Sequence, residues 1–407
     1  MPLTASDARA HRVEERLLAR NAASAAFFPA ESVRLAAASQ EMAARFLRGG
    51  RLLACGRGPC STDAEHVSVE FVHPVIVGKR ALPALDVSRC FRERLEAMLR
   101  PDDMVMGFGP PEGDPEIAAA LAWAAARGAQ TFALGAEPSG SERPHRDGAG
   151  YECASASADP YIHQEMVEIL YHTLWETVHV FFEHRERGHD VGAAGFLYPY
   201  LAQEKQDTGA VLAEVAASIR AKAAEDERLR AAVAAAQSAS IAGAALAIHR
   251  QVERGGKLLL FGNGGSATDA NDWALDCALP LSGRRPIPAI SLAMEPANVT
   301  AVANDIGTEA VFLRQLIAHA EGADVAVAIS TSGGSANVIA ALGEARKRGL
   351  VTIALLGYGG GEIARRGLAD FALVVPCDYI PRIQEIQASI YHVVLELCAP
   401  EARGEAR

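Results

Sequence analysis

The chain has 407 residues, half of them hydrophobic, and carries 39 Lys and Arg against 50 Asp and Glu for a net charge of −11. That length is ample for two domains with cores of their own, and the acidic balance argues against a sequence-independent grip on nucleic acid, which needs surplus cations. Seven cysteines, an odd number scattered without a CxxC pair, read as reduced thiols rather than a disulfide framework.

The opening segment Met1-Pro2-Leu3-Thr4-Ala5-Ser6-Asp7 has no apolar h-region, and no run approaches the roughly 18 apolar residues of a membrane span. A cytoplasmic protein with no membrane partner is expected. From Asp7 to Phe46 the sequence is rich in Ala and Leu with charges at helical spacing, and it feeds the short apolar run Arg51-Leu52-Leu53-Ala54-Cys55. Further strands are predicted over Leu82 to Val87, Met104 to Phe108 and Thr131 to Leu134. Gly188 to Pro199, with three glycines and a proline, reads as a linker. Gly209 to Val252 is again almost all helix former and leads to Lys257-Leu258-Leu259-Leu260-Phe261. Strands then follow at Ile287 to Leu292, Val325 to Ile329, Thr352 to Leu356 and Phe371 to Val375. Strands alternating with helices predict an α/β fold whose doubly wound parallel sheets are covered by helices on both faces.

The pattern occurs twice. Gly56-Arg57-Gly58 through Asp63, Ala64 and Glu70 has its counterpart 206 positions later in Gly262-Asn263-Gly264 through Asp269, Ala270 and Asp276. Gln164 and His172 repeat as Gln384 and His392 with the same eight-residue step. Two homologous domains are therefore expected, 1–190 and 191–407. The first copy lacks about 15 residues that match Met294 to Glu309.

In the second copy a strand ends in Gly262-Asn263-Gly264-Gly265-Ser266-Ala267-Thr268-Asp269 and opens a helix. Glycines let the backbone approach closely, and the N–H groups and dipole at the helix start favour an anion. After the strand ending at Ile329 comes Ser330-Thr331-Ser332-Gly333-Gly334-Ser335-Ala336-Asn337, four hydroxyls in six residues. Capping explains one serine but hardly four. Two such loops at the carboxyl ends of strands converge on one crevice, where a phosphoester fits.

GNGGSATDAND, ISTSGGSANV and RIQEIQASIYH resemble the sugar isomerase (SIS) fold, in its phosphoheptose isomerase branch, over nearly all of Gly209 to Cys398. The resemblance implies tandem SIS domains, and that Ser266, Ser330, Thr331, Ser332 and Ser335 hold a sugar phosphate while Asn263 and Asp305 line the sugar. That branch carries a His and, four residues on, a Glu after the glycine loop; a later helix carries a Gln and, eight residues on, a His. The Glu and the late His act as base and acid, and the four side chains can also hold a metal such as zinc.

Carried over, the second copy supplies Asp272, Asp276, Gln384 and His392, with two of the four changed. The first copy supplies the whole set, His66, Glu70, Gln164 and His172, but its phosphate loops are eroded to Gly56-Arg57-Gly58-Pro59-Cys60 and Gly109-Pro110-Pro111-Glu112-Gly113. Prolines remove N–H donors and Glu112 repels phosphate. The expected catalytic residues are Glu70, His172, His392 and Asp276, with Gln384 on the substrate. The copies are expected to pack as a pseudo-dimer sharing a site, phosphate on the second and proton transfer from the first. A metal held by His66, Glu70, Gln164 and His172 for structure alone is the other reading of that set.

The leading function is a phosphosugar aldose-ketose isomerase acting through an enediol, on sedoheptulose 7-phosphate or a related sugar phosphate. The alternative is a phosphosugar-binding regulatory or assembly protein without turnover. A nucleotide-dependent dehydrogenase fits poorly, because Gly262-x-Gly264 runs into Gly265-Ser266 without the spaced third glycine. No nucleotide cofactor is expected, and the Ala-rich helices suggest a homo-oligomer.

Overall fold

In a computed structural model, residues 4–74, 79–135, 150–153, 156–186, 208–281 and 283–398 are described. The linker expected at Gly188 to Pro199 lies outside them. The chain forms two compact units: Ala23–Ala224, here the N-terminal unit, and Met1–Ala22 with Glu225–Arg407, the C-terminal unit.

The N-terminal unit is built on β1 (Leu52–Gly56), β2 (Ala84–Asp86), β3 (Met104–Phe108), β4 (Gln130–Leu134) and β5 (Gly150–Cys153), in the order β2-β1-β3-β4-β5 with every pair parallel. Alternate residues of a strand face opposite ways, and the burial follows. Leu52, Ala54, Met104 and Met106 join one apolar cluster, with Ala64, Val67 and Phe71 of α2 (Ser61–Val72) and Ile169, Leu170 and Leu174 of α5 (Pro160–Glu186). Leu53, Cys55 and Val105 join the other, with Phe91 and Leu95 of α3 (Phe91–Met98) and Ile117 and Leu121 of α4 (Pro115–Ala125).

The C-terminal unit repeats this plan. Its strands are β6 (Leu258–Phe261), β7 (Ala289–Ser291), β8 (Val325–Ser330), β9 (Val351–Leu356) and β10 (Phe371–Val374), all parallel, in the order β7-β6-β8-β9-β10. One face is closed by α9 (Val311–His319), α10 (Ala336–Lys347) and α11 (Gly361–Arg365). On the other side α7 (Gly265–Ala278) and α12 (Ile380–Cys398) pack together. The extra helix α8 (Pro296–Asp305) falls in the stretch that the first copy was expected to lack. The repeat reaches single hydrogen bonds: Arg51 N donates to Asp103 Oδ1 and Lys257 N to Asp324 Oδ1, both at 2.9 Å.

The longest helices serve both units. α1 (Ala5–Leu47) opens on a Thr4 cap, whose Oγ1 accepts from Asp7 N at 3.2 Å while Asp7 Oδ2 accepts from Thr4 N at 3.1 Å. Its first turns belong to the C-terminal unit, where Glu396 of α12 accepts from Arg20 at 3.0 Å and pairs with Arg16 at 3.2 Å. The start of α6 (Thr208–Glu253) belongs reciprocally to the N-terminal unit, where Lys222 pairs with Glu176 of α5. Arg16 and Lys222 are equivalent positions in the repeat, as are Glu176 and Glu396.

The expectation that no stretch could match a membrane span is corrected by α6, which holds an 18-residue window of mean hydropathy 1.6. Single Gln and Ser residues interrupt the apolar run without adding charge. Of that window 39% is buried, and Val233, Ala234, Ile241, Ala244, Ala245 and Ile248 face inward at helical spacing.

Candidate functional site

In the C-terminal unit the chain leaves β6 for β7 on one side, while β8 pairs with β6 on the other. The crevice at this reversal is bounded by the loops that follow β6 and β8. Gly262 cannot be replaced there, because a Cβ would lie 2.4 Å from Ser266 O and 2.8 Å from Ile329 O. Gly264 and Gly333 both take left-handed φ values, 58° and 60°. In the second loop Ser330 Oγ accepts from Gly333 N and Ser332 Oγ from Gly334 N, each at 3.2 Å. Ser335 stands at the N-cap of α10 without a side-chain capping bond, so its hydroxyl is available to an anion at a helix start. The loops are joined by a reciprocal amide pair between Asn263 and Asn337. Asp305 is exposed at the end of α8, where its carboxylate accepts from Asn304 at 2.8 Å.

Deeper in the same unit, α7 and α12 bring together Asp272, Asp276 and His392, all buried. His392 Nε2 lies 3.4 Å from Asp276 Oδ2 and 3.6 Å from Asp272 Oδ2. Tyr391, stacked on Trp273, donates its hydroxyl proton to Asp272 Oδ2 at 2.7 Å. Burial first, and the neighbouring Asp272 second, push the Asp276 carboxyl up to about 7 against the opposing pull of His392. Gln384 is buried two helical turns earlier on α12.

In the N-terminal unit α2 and α5 bring together His66, Glu168 and His172, with donor atoms all within 4.8 Å of one another. The facing His66 and His172 Nε2 atoms are 3.4 Å apart. Two nitrogens each 2.0–2.1 Å from one tetrahedral zinc stand about 3.3–3.4 Å apart, so this pair already spans such an edge. Glu70 lies 3.8 Å from His66, and burial, followed by the charge of Glu176, pushes its carboxyl up to about 8. Gln164 donates to Asp63 Oδ2 at 3.1 Å.

The crevice of this unit keeps the steric turn but fills the anion position from within. A Cβ on Gly56 would meet Cys60 O at 2.0 Å, matching the constraint at Gly262. Asp114, the counterpart of Ser335, caps α4 and accepts from Glu116 N and Ile117 N at 2.8 and 3.1 Å. Arg57, the counterpart of Asn263, pairs with Asp114 at 3.0 Å and with Glu116 at 3.1 Å. A carboxylate of the chain itself thus takes the helix N-terminus where a phosphate would sit.

The SIS domain model matches residues 223–357. The phosphoheptose isomerase of Pelobacter propionicus is 49% identical over 145 residues, which is 35% of this chain and 76% of that protein. That of Citrifermentans bemidjiense is 45% identical over 148 residues, 36% of this chain and 76% of that one. The chain belongs to the phosphoheptose isomerase family of SIS-domain proteins. The C-terminal domain of glucosamine-fructose-6-phosphate aminotransferase from Francisella tularensis is only 11% identical, but it matches 95% of this chain and 98% of its own length at a TM-score of 0.51. The SIS fold therefore extends over both units.

Within this phosphoheptose isomerase framework, four residues that lie beside the expected site residues or their counterparts escaped the sequence reading. Glu168 lies four residues from both Gln164 and His172, on the same face of α5, and that spacing was a usable signal. Asp114 precedes Pro115 as a helix cap does, which was a second. Tyr391 and Asn337 carry no comparable signal, because a Tyr in an apolar helix and an Asn in a helix's first turn are common for packing and capping alone.

Proposed function

We propose that this chain is a phosphosugar aldose-ketose isomerase whose C-terminal unit both binds the phosphate and moves the proton, with sedoheptulose 7-phosphate or a related ketose phosphate as substrate. The observation that carries this reading is the presence, in one unit, of a glycine and serine cradle and a buried carboxylate–imidazole pair 3.4 Å apart. Ser266, Ser330, Thr331, Ser332 and Ser335 take the phosphate; Asn263, Asp305 and Gln384 take the sugar. Asp276 removes the proton from C1 while His392 gives a proton to the C2 oxygen, which yields the enediol. His392 then takes the proton of the C1 hydroxyl as Asp276 returns its proton to C2, leaving the aldose. Asp276 is one methylene shorter than the family's glutamate, but a carboxyl raised to about 7 suits a base working near neutral pH.

His66, Glu168 and His172 fit a tetrahedral cation such as zinc, with Glu70 beside them. Bound there, zinc would tie α2 to α5 and polarise an oxygen brought to its fourth position. Elemental analysis of protein purified with zinc present should find one ion per chain and none in His172→Ala; a wild-type chain without zinc would refute the assignment.

The isomerase reading is tested by incubating the protein with ketose phosphates and measuring the aldose product. Ser330→Ala should raise KM by on the order of tenfold, the worth of a hydrogen bond to a charged group. Tight binding of the sugar phosphate with no aldose formed would instead favour the alternative, a non-catalytic phosphosugar-binding protein.

A further inference from the structure

Asn337 belongs to the first turn of α10 and was singled out neither by its type nor by its spacing. In the structure its carboxamide faces that of Asn263 across the two crevice loops. Asn263 Nδ2 donates to Asn337 Oδ1 at 3.0 Å, and Asn337 Nδ2 donates to Asn263 Oδ1 at 2.8 Å. The orientation of this pair is fixed from one end. Asn337 Oδ1 also accepts from Val338 N at 2.9 Å, and a backbone N–H can face only an oxygen, so the amide nitrogen of Asn337 must point at Asn263. Asn263 is then oriented in turn, with one N–H and one lone pair left over.

The equivalent positions in the N-terminal unit are Arg57 and Glu116, and they too are bridged, at 3.1 Å. A link between these loops therefore recurs in both copies with different chemistry. Where Asp114 fills the anion position the bridge is an ion pair. Where the serine cradle is intact it is a neutral amide pair, which sets no fixed charge beside the phosphate.

We propose that Asn337 is a positioning residue for sugar binding: through the amide pair it holds Asn263 in a single orientation at the mouth of the cradle, so that Asn263 offers a donor and an acceptor to neighbouring hydroxyls of the ketose phosphate. The inference rests on the phosphosugar reading of the C-terminal unit. Calorimetric titration of wild type, Asn337→Ala, Asn263→Ala and the double variant with sedoheptulose 7-phosphate and, separately, with inorganic phosphate tests it. Asn337→Ala should weaken the sugar phosphate roughly three- to tenfold, as expected for one neutral hydrogen-bonded contact, and leave inorganic phosphate unchanged. The double variant should bind no more weakly than Asn263→Ala, because one residue acts through the other. Unchanged sugar binding by Asn337→Ala, equal weakening of both probes, or additive losses would each overturn the proposal. A wild-type chain that binds neither probe would defeat the phosphosugar reading itself, an outcome distinct from these three.

Discussion

Asp276→Asn should lower kcat for ketose phosphate by about 10²- to 10⁴-fold, the usual worth of a positioned base, while leaving inorganic phosphate binding intact. The substitution keeps the shape of a buried side chain and removes only its capacity to take a proton. Wild-type kcat/KM should rise with pH through about 7, because below that value the carboxyl is protonated and cannot act as base. Linkage gives an independent check. A carboxyl whose folded pKa is raised above its unfolded value near 4 contributes stability at low pH that is lost as pH rises through about 7. The uncharged Asn variant escapes that loss and should be at least as stable as wild type above pH 7. Glu70→Gln, made in parallel, should keep most of its turnover; a collapse there with Asp276→Asn active would move the base to the N-terminal unit.

Arg382→Met should be the most destabilising of the single changes considered. Arg382 opens α12 and is fully buried, with Nη1 at 2.7 Å from Asp226 Oδ2 and 2.8 Å from Glu385 Oε2. Burial raises the Asp226 carboxyl well above its ordinary range against the opposing pull of Arg382 and Arg230. Removing one member of a buried pair costs about 3–5 kcal/mol, because the other is left uncompensated. For a unit of this size each kcal/mol lowers Tm by roughly 2–4 °C, so thermal denaturation should show a fall on the order of 10 °C. Gln384 and His392 ride on the same helix, and sugar-phosphate binding should weaken as well. A melting curve unchanged from wild type would show that the triad contributes no net stability.

The features most legible in the sequence were those fixed by local sterics. Among the described residues nine of the ten strands coincide with apolar runs, and the glycine turns at Gly56 and Gly262 were readable because each tolerates no Cβ. β5 was missed because Gly150-Tyr151-Glu152-Cys153 has no apolar run; it is a strand through pairing with Thr131 to Leu134 of β4. The sharing of α1 and α6 was also hidden, since Arg16, Arg20 and Lys222 look like ordinary surface charges until Glu396 and Glu176 are seen beside them. At the sites, the loops and the His, Glu, Gln and Asp positions were legible from the repeat. Glu168 and the internal carboxylate of Asp114 required knowing which side chains meet across helices and loops.

The most direct measurement is proton exchange during turnover. Wild-type protein is incubated with sedoheptulose 7-phosphate in D2O, and product is followed by NMR beside Asp276→Asn. The account predicts aldose phosphate from wild type, bearing at C2 either the hydrogen moved from C1 or deuterium taken up where the Asp276 carboxyl exchanges with solvent before returning its proton, and product formed at least about 10²-fold more slowly by the variant. A wild-type protein that binds the sugar phosphate yet leaves every carbon-bound proton in place would contradict it.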